Sequence, residues 1–259
     1  MPHISFSELR NWVQCPYYHK LTYVDRVTKF EGNEFTAFGK AIHSTCEKLL
    51  AEKKNNGAEQ YFFEQFEKEL TELIDKKVEL KQDLVSSMET QGTKIVDLIL
   101  PAVSEYLGDY TVISSEELLK VPVDLQNLDD YSFKGFIDLV VKTSDGKYHI
   151  IDWKTCGWGW DARKKAEPMV TYQLTLYKHY FAKKHGVDPK NIETHFALLK
   201  RTAKKDNVEI FRVTSGPKKT DNALKLLNKA LYSISRKRYI KNRLSCGRCE
   251  FNNTEHCTR

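Results

Sequence analysis

The chain has 259 residues, of which 41% are hydrophobic and 29% are charged, and its formal net charge is +6. This balance is ordinary for a globular protein with a buried core, and it excludes a disordered or collagen-like chain. No stretch reaches the roughly 18 consecutive apolar residues of a membrane span, and the N-terminus lacks the pattern of a secretory signal. We therefore expect a soluble intracellular protein with no membrane partner.

Residues 1–110 have the apolar spacing of helices. Ser5 and Glu8 fit a capping box, which predicts a short helix directly after them. Pro101 is expected to kink or split the last helix of this part. Three further segments repeat apolar residues at helical spacing, namely residues 38–50, 62–74 and 92–107.

The pattern changes after residue 110 to β-branched and aromatic runs. These predict five strands, at residues 112–123, 131–142, 147–154, 192–200 and 207–213. Two more helices are predicted at about 167–185 and 217–238. We predict a single α/β domain over residues 1–259, with a small mixed β-sheet flanked by helices. Its parts would be a helical region (1–110), a sheet core that carries the site (111–215), and a basic helix with a cysteine-rich tail (216–259).

Residues 133–155 have the pattern of a β-hairpin, and its turn decides which side chains share a face. A two-residue Asp145-Gly146 loop would place the acids of the two strands on opposite faces. A three-residue loop with Gly146 in the left-handed region would instead pair Thr143 with Lys147. We expect the three-residue loop, although the sequence by itself leaves both registers open.

The longer loop would place Asp138 directly opposite Asp152, with Lys154 on the same face. Two carboxylates this close repel each other unless a cation joins them. A divalent metal there would polarise a phosphoryl oxygen and activate a water molecule, while Lys154 stabilises charge on phosphorus or orients the water. The alternative is two surface aspartates with a salt-bridging lysine.

Four short motifs follow one another in the predicted helices and strands: Gly39-x-x-x-His43, Gly135-x-x-Asp138, Asp152-x-Lys154-Thr155 and Gln173-x-x-x-Tyr177. In this order they resemble the PD-(D/E)XK nuclease superfamily, in its RecB-like branch. The resemblance implies a restriction-endonuclease-like core. It also implies that His43, Asp138, Asp152 and the backbone carbonyl of Trp153 hold Mg²⁺ or Mn²⁺, and that Lys154 is catalytic.

The same resemblance places Gln173 and Tyr177, one helical turn apart, near the scissile phosphate or the DNA strand. Glu117 is a further candidate metal ligand, because it shares strand parity with the apolar residues Leu119 and Val121. Its alternative position is a strand end in water.

The cysteines are unevenly placed. Cys246 and Cys249 form a C-x-x-C, Cys257 follows, and Cys15 precedes Pro16 far upstream. This pattern resembles the iron–sulfur subset of these nucleases, which includes the AddB-type subunits and the CRISPR-associated adaptation exonucleases. The resemblance implies a structural [4Fe–4S] cluster on four thiolates, although Zn²⁺ would use the same ligands. The gap before Cys257 is longer than that subset usually has.

Aromatic and basic residues alternate after the catalytic lysine, at Trp158, Trp160, Arg163, Lys164 and Lys165. Bases can stack on the rings while the cations meet phosphates, so the segment suits a single strand. The alternative is that the tryptophans pack a loop against the domain.

Together these features predict a metal-dependent DNA exonuclease that acts on single-stranded or frayed ends. Its setting would be recombination, phage DNA processing or CRISPR adaptation, with protein partners from those processes. It would act in the cytoplasm, or in the host cytoplasm if it is phage-encoded. The alternative is a non-catalytic nucleic-acid-binding or scaffold subunit that retains the nuclease fold, against which the intact set of candidate site residues argues.

Overall fold

The computed structural model describes residues 2–27, 30–124 and 131–258, and over these ranges the chain forms eight α-helices and six β-strands. The helices are α1 (Phe6–Gln14), α2 (Pro16–His19), α3 (Glu34–Glu52), α4 (Ala58–Asp75), α5 (Gln82–Leu107), α6 (Ala162–Ala166), α7 (Pro168–His185) and α8 (Pro217–Ser235). The strands are β1 (His3–Ser5), β2 (Tyr110–Pro122), β3 (Ser132–Thr143), β4 (Tyr148–Cys156), β5 (Ile192–Lys200) and β6 (Val208–Val213).

The strands form one mixed sheet in the order β1-β3-β4-β5-β6, and β2 also pairs with β3. The β3–β4 and β5–β6 pairs are antiparallel, whereas β1–β3 and β4–β5 are parallel. Helices α6 and α7 provide the long connection that two parallel strands need between β4 and β5. This mixed sheet flanked by helices confirms the predicted α/β fold class.

The chain divides into two compact units. The terminal unit is built from the described parts of residues 1–30, 119–135 and 216–259. The central unit comprises residues 31–118 and 136–215. The single-domain organisation expected from the sequence stays a prediction.

Helix α1 starts as predicted, because the Ser5 side chain accepts a hydrogen bond from the Glu8 backbone N–H at 3.1 Å. The Glu8 carboxylate contacts the His19 ring at 2.8 Å. In the central unit, the expectation that Pro101 could split its helix is wrong, since α5 runs unbroken from Gln82 to Leu107. A helix of 26 residues can lose one backbone hydrogen bond at a proline when its apolar face is buried.

The core of the central unit is a helical layer packed on one face of the strands. Phe38 of α3 packs edge-on against Phe62 and Phe66 of α4, and these two rings stack on each other. Gly92 of α5 is required there, because an added Cβ would lie 2.1 Å from the Phe62 ring. The odd-numbered residues of β4, such as Trp153, belong to this core, so the even-numbered side chains point to the other face.

Candidate active site

The turn of the β3–β4 hairpin has the three-residue form. The Thr143 backbone N–H donates to the Lys147 carbonyl at 3.1 Å, and the Gly146 N–H donates back to the Thr143 carbonyl at 3.0 Å. Gly146 has φ = +84°, in the left-handed region where glycine has no steric cost. The register favoured from the sequence is therefore confirmed, and the two-residue alternative is excluded.

This register brings the two acids together. Leu139 pairs with Ile151, so the next step of the antiparallel ladder places Asp138 opposite Asp152. The Asp138 Oδ2 also accepts a hydrogen bond from the Trp153 backbone N–H at 2.7 Å. That bond holds the Asp138 carboxylate against β4, next to the side chains that share the Asp152 face.

The lysine and the histidine reach the same place. Lys154 Nζ lies 2.5 Å from Asp152 Oδ2, and it also lies 5.8 Å from the centre of the Phe196 ring. His43, on α3, places its Nδ1 3.8 Å from Asp138 Oδ2. The structure thus gathers the four residues that the sequence motifs named for metal binding and catalysis.

Burial governs the protonation states of Asp138, Asp152 and His43. It raises the pKa of Asp138 well above its ordinary value, and the neighbouring Asp152 charge adds to the effect. Burial also raises the pKa of Asp152, against the opposing influence of Lys154. The pKa of His43 falls to about 4, through burial first and Lys154 second, so its ring is neutral at neutral pH. A neutral imidazole has a lone pair for a metal.

The site is short of positive charge. Asp152 is buried, and its Oδ2 pairs with the Lys154 ammonium at 2.5 Å. This single ammonium group faces two buried carboxylates. A divalent cation fits such a pair of acids, because it would offset the repulsion that one ammonium leaves.

A third acid at this site lies on β2, and it was not identified from the sequence. Glu116 has a left-handed backbone, φ = +46°, which is strained for a residue with a side chain. Its charge acts on both Asp138 and Asp152, and it forms a hydrogen bond with Glu47 of α3. Burial and this neighbour raise the pKa of Glu47 to about 7. Glu47 lies four residues after His43, and that helical spacing was a readable signal.

The sequence proposed Glu117 in place of Glu116, and the structure gives Glu117 different partners. Its carboxylate accepts from Ser114 at 2.6 Å, from Lys184 at 2.8 Å and from His185 at 2.5 Å. Glu117 is buried with Leu119 and Val121, so its predicted strand parity holds, while its role as a metal ligand stays a prediction. Glu117 therefore ties β2 to the end of α7.

Helix α7 contributes the last two predicted site residues, Gln173 and Tyr177. Gln173 Nε2 donates to the Tyr177 hydroxyl at 3.2 Å. Burial raises the pKa of Tyr177, and the charge of Asp152 raises it further, so the phenol keeps its proton. Tyr177 is thus near enough to the acids for their charges to act on it, as the sequence motif implied.

The four predicted cysteines lie together in the terminal unit. Cys15, Cys246, Cys249 and Cys257 line one cavity of about 220 Å³. The Asn242 backbone N–H donates to Cys15 Sγ at 3.2 Å. Burial raises the pKa of Cys249, and the other three thiols raise it further.

The two tryptophans after β4 differ. Trp158 is 78% exposed. Trp160 packs edge-on against Phe196 and Phe211, with ring centres 5.1 and 6.2 Å apart. Lys164 Nζ lies 4.8 Å from the Trp160 ring centre. The segment is therefore neither wholly a packed loop nor wholly a nucleic-acid surface.

The cations of this segment also differ. Arg163 and Lys164 are exposed on α6. Lys165 forms an ion pair with Glu209, and its Nζ lies 4.6 Å from the Phe211 ring centre. Lys165 is therefore engaged with β6, whereas Arg163 and Lys164 face solvent.

Comparisons with known proteins agree with this site. The family model described as "PD-(D/E)XK nuclease superfamily" matches residues 3–254. A crystal structure named "Putative exonuclease", from Eubacterium rectale, is similar with a TM-score of 0.60 and 14% identity, covering 96% of this chain and 86% of that one. A structure named "SSO0001" covers 91% of both chains at 14% identity, with a TM-score of only 0.37. Curated proteins gave no significant match.

The raised pKa of Asp138 predicts how stability depends on pH. The metal-free protein should lose stability as the pH rises above 3.8, the ordinary value for aspartate, because the ionised form is disfavoured in the fold. Asp138→Asn should therefore be more stable than the parent at pH 8, by a margin that narrows toward pH 5. Denaturant unfolding in EDTA across this range measures the difference.

The control for this prediction is Asp75→Asn, which neutralises an exposed carboxylate at the end of α4. Its stability difference from the parent should depend little on pH. Identical pH profiles for the parent and Asp138→Asn would show that the acids are not held against each other.

Proposed function

Because the chain belongs to the PD-(D/E)XK nuclease superfamily, we propose that it is a metal-dependent exonuclease acting on single-stranded or frayed ends of DNA. Membership of the family makes it a nuclease, a hydrolase of phosphodiester bonds. One observation carries the rest: the structure brings His43, Asp138, Asp152 and Lys154 to one place from α3 and the β3–β4 hairpin.

The proposed metal ligands are His43, Asp138, Asp152 and the backbone carbonyl of Trp153, with Glu116 nearby. Two carboxylates suit Mg²⁺, and the neutral imidazole makes Mn²⁺ equally suitable. When bound, such a cation polarises a phosphoryl oxygen and lowers the pKa of a water molecule. Two buried carboxylates that share a single ammonium group support this ligand set.

The protein's own groups supply the remaining chemistry. The Lys154 ammonium lies against Asp152, where it can stabilise negative charge developing on phosphorus or orient the attacking water. The Tyr177 hydroxyl accepts from Gln173 and keeps its proton, because burial and the charge of Asp152 raise its pKa, so we assign it a positioning role beside the acids. Glu47, with its pKa of about 7, shares a hydrogen bond with Glu116, and this bond favours the ionised form of Glu116.

Replacing the ammonium group tests the assignment. Lys154→Ala should lower cleavage of a labelled oligonucleotide in Mn²⁺ or Mg²⁺ by about 10²–10³-fold, the usual cost of removing one group that stabilises the transition state. DNA binding and fold should be retained. Lys40→Ala is the matched control, because Lys40 is an exposed residue of α3 paired with Glu69. EDTA should stop cleavage by the parent.

The same assay separates the alternatives. Cleavage by Lys154→Ala at the parent rate would overturn the catalytic role of this lysine. Absence of any metal-dependent cleavage by the parent would favour the non-catalytic scaffold. A covalently closed single-stranded circle should resist, since an exonuclease needs an end, and its rapid digestion would show an endonuclease.

The exposed Trp158 supports a preference for single strands. The exposed indole precedes the exposed cations Arg163 and Lys164 by a few residues, so it can stack on an unpaired base while the cations meet phosphates. Trp160 and Lys165 instead hold this segment to β5 and β6. Of the two tryptophans, we therefore assign contact with a base only to Trp158.

The two tryptophans should give different phenotypes. Trp158→Ala should raise KM for single-stranded ends by roughly 5- to 150-fold, the equivalent of one lost stacking contact of about 1–3 kcal/mol, with unchanged stability. Trp158→Phe should retain most of the affinity. Trp160→Ala should lower the unfolding midpoint, because it removes the contacts with Phe196 and Phe211. Equal KM values for the parent and Trp158→Ala would contradict the stacking role.

The four cysteines of the terminal unit form the proposed site of a structural [4Fe–4S] cluster. Four thiolates are the usual ligands of such a cluster, and backbone donors to sulfur, like that of Asn242 to Cys15, are typical around it. The four thiols line one cavity of about 220 Å³, which supports a shared metal group at this place. The cluster would join the two chain ends within this unit.

The absorption of anaerobically purified protein tests the cluster. The parent should show a broad visible band and contain about four iron atoms per chain. Cys249→Ser should lose both, whereas Cys156→Ser, a cysteine of the central unit, should retain them. A colourless parent that contains one more zinc per chain than Cys249→Ser would replace iron–sulfur by zinc.

The remaining predictions concern the cellular location and the partners of the protein. Among the helices of the described ranges, none is both long and apolar enough to cross a membrane. The cytoplasmic location and the partners from recombination, phage DNA processing or CRISPR adaptation stay predictions.

A further inference from the structure

A second cluster of potential ligands lies in the central unit, on β4 and β5. Single ligand atoms of His149, Glu193 and His195 all lie within 4.8 Å of one another. The parallel register pairs His149 with Glu193, which brings the three side chains to the start of both strands. His149 and Asp152 have opposite parity on β4, so this cluster is on the other face of the sheet from the nuclease site.

The two histidines are aligned through their ring nitrogens. His149 Nδ1 lies 3.0 Å from His195 Nε2. The outer nitrogens are also bound: His149 Nε2 contacts the Thr143 hydroxyl at 3.0 Å, and His195 Nδ1 contacts the Tyr106 hydroxyl at 3.2 Å. Both rings are buried. Each ring is thus oriented by a hydroxyl behind it, with its second nitrogen directed at the other ring.

This arrangement matches the way proteins prepare histidines for a metal. A metal-binding histidine usually donates its remote ring N–H to an oxygen, which fixes the tautomer and orients the lone pair. Here His149 would donate to Thr143 and His195 to Tyr106. In the metal-free protein, one of the two facing nitrogens, His149 Nδ1 or His195 Nε2, carries a proton. If that proton is on His195, moving it from Nε2 to Nδ1 frees both lone pairs with no change in net charge.

Glu193 supplies the third ligand at the accessible side of the cluster. Its Oε1 lies 3.5 Å from Lys147 Nζ and 3.3 Å from Arg212 Nη2. Both ion pairs are long and partly exposed, so each contributes little. Both ion pairs are made through Oε1.

We propose that His149, His195 and Glu193 form a divalent transition-metal site suited to Zn²⁺. Two imidazoles and one carboxylate are a common zinc ligand set, and they leave one position for water. Nitrogen ligands distinguish this site from the oxygen-rich acid pair, which prefers Mg²⁺ or Mn²⁺. The metal would fasten β4 to β5, and through Thr143 and Tyr106 it would orient β3 and α5.

Zinc binding is measured by equilibrium dialysis against Zn²⁺ in excess Mg²⁺, which keeps the acid pair supplied with its own ion. The parent should bind one equivalent more than His195→Gln, since every other site, including the cysteines, is common to both. Tyr106→Phe should keep the equivalent with an affinity about 10- to 100-fold lower, the usual effect of losing a residue that orients a ligand. His179→Gln, another histidine of the central unit, should match the parent.

A second readout does not depend on counting metal. Zn²⁺ should raise the unfolding temperature of the parent more than that of Glu193→Gln, because binding to the folded state adds stability. If His195→Gln fails to fold by circular dichroism, Tyr106→Phe and Glu193→Gln carry the test. Equal zinc content and equal temperature shifts in the parent and these variants would overturn the proposal. So would an extra equivalent that appears only at millimolar Zn²⁺.

Discussion

The candidate nuclease site depends on one short antiparallel ladder. The three-residue turn fixes the β3–β4 register, and the Trp153 N–H then holds Asp138 against the strand that carries Asp152 and Lys154. A slip of one residue would send the acids to opposite faces of the sheet. The turn is held by backbone hydrogen bonds, whereas the position of the Asp138 carboxylate depends on its own bond to the Trp153 N–H.

Electrostatic imbalance is the second property of the site, and it follows from burial. Asp138 and Asp152 carry more negative charge than Lys154 can offset, while His43 is kept neutral. The fold tolerates this arrangement at a cost in stability that a divalent cation would remove. The same arrangement of acids thus lowers the stability of the metal-free fold and raises its affinity for a metal, as is common at functional sites.

The proposed metal groups divide by ligand chemistry. Oxygen ligands meet at the acid pair, thiols meet in the terminal unit, and imidazoles meet at the start of β4 and β5. Hard cations such as Mg²⁺ prefer the oxygen ligands. Iron–sulfur clusters prefer thiolates, and borderline cations such as Zn²⁺ prefer imidazoles. Each group can therefore be removed or replaced separately, so the failure of one proposal leaves the others standing.

The sequence by itself determined the fold class and located the acids and the lysine on the two strands of one hairpin, because turn chemistry and strand alternation act over a few residues. It left two turn registers open, of which the structure has the three-residue form. Tertiary structure alone decided that the Glu116 charge acts on Asp138, while Glu117 pairs with Lys184 and His185. It also buried Trp160 and exposed Trp158. Such choices depend on contacts between residues far apart in the chain, and local periodicity contains no information about those contacts.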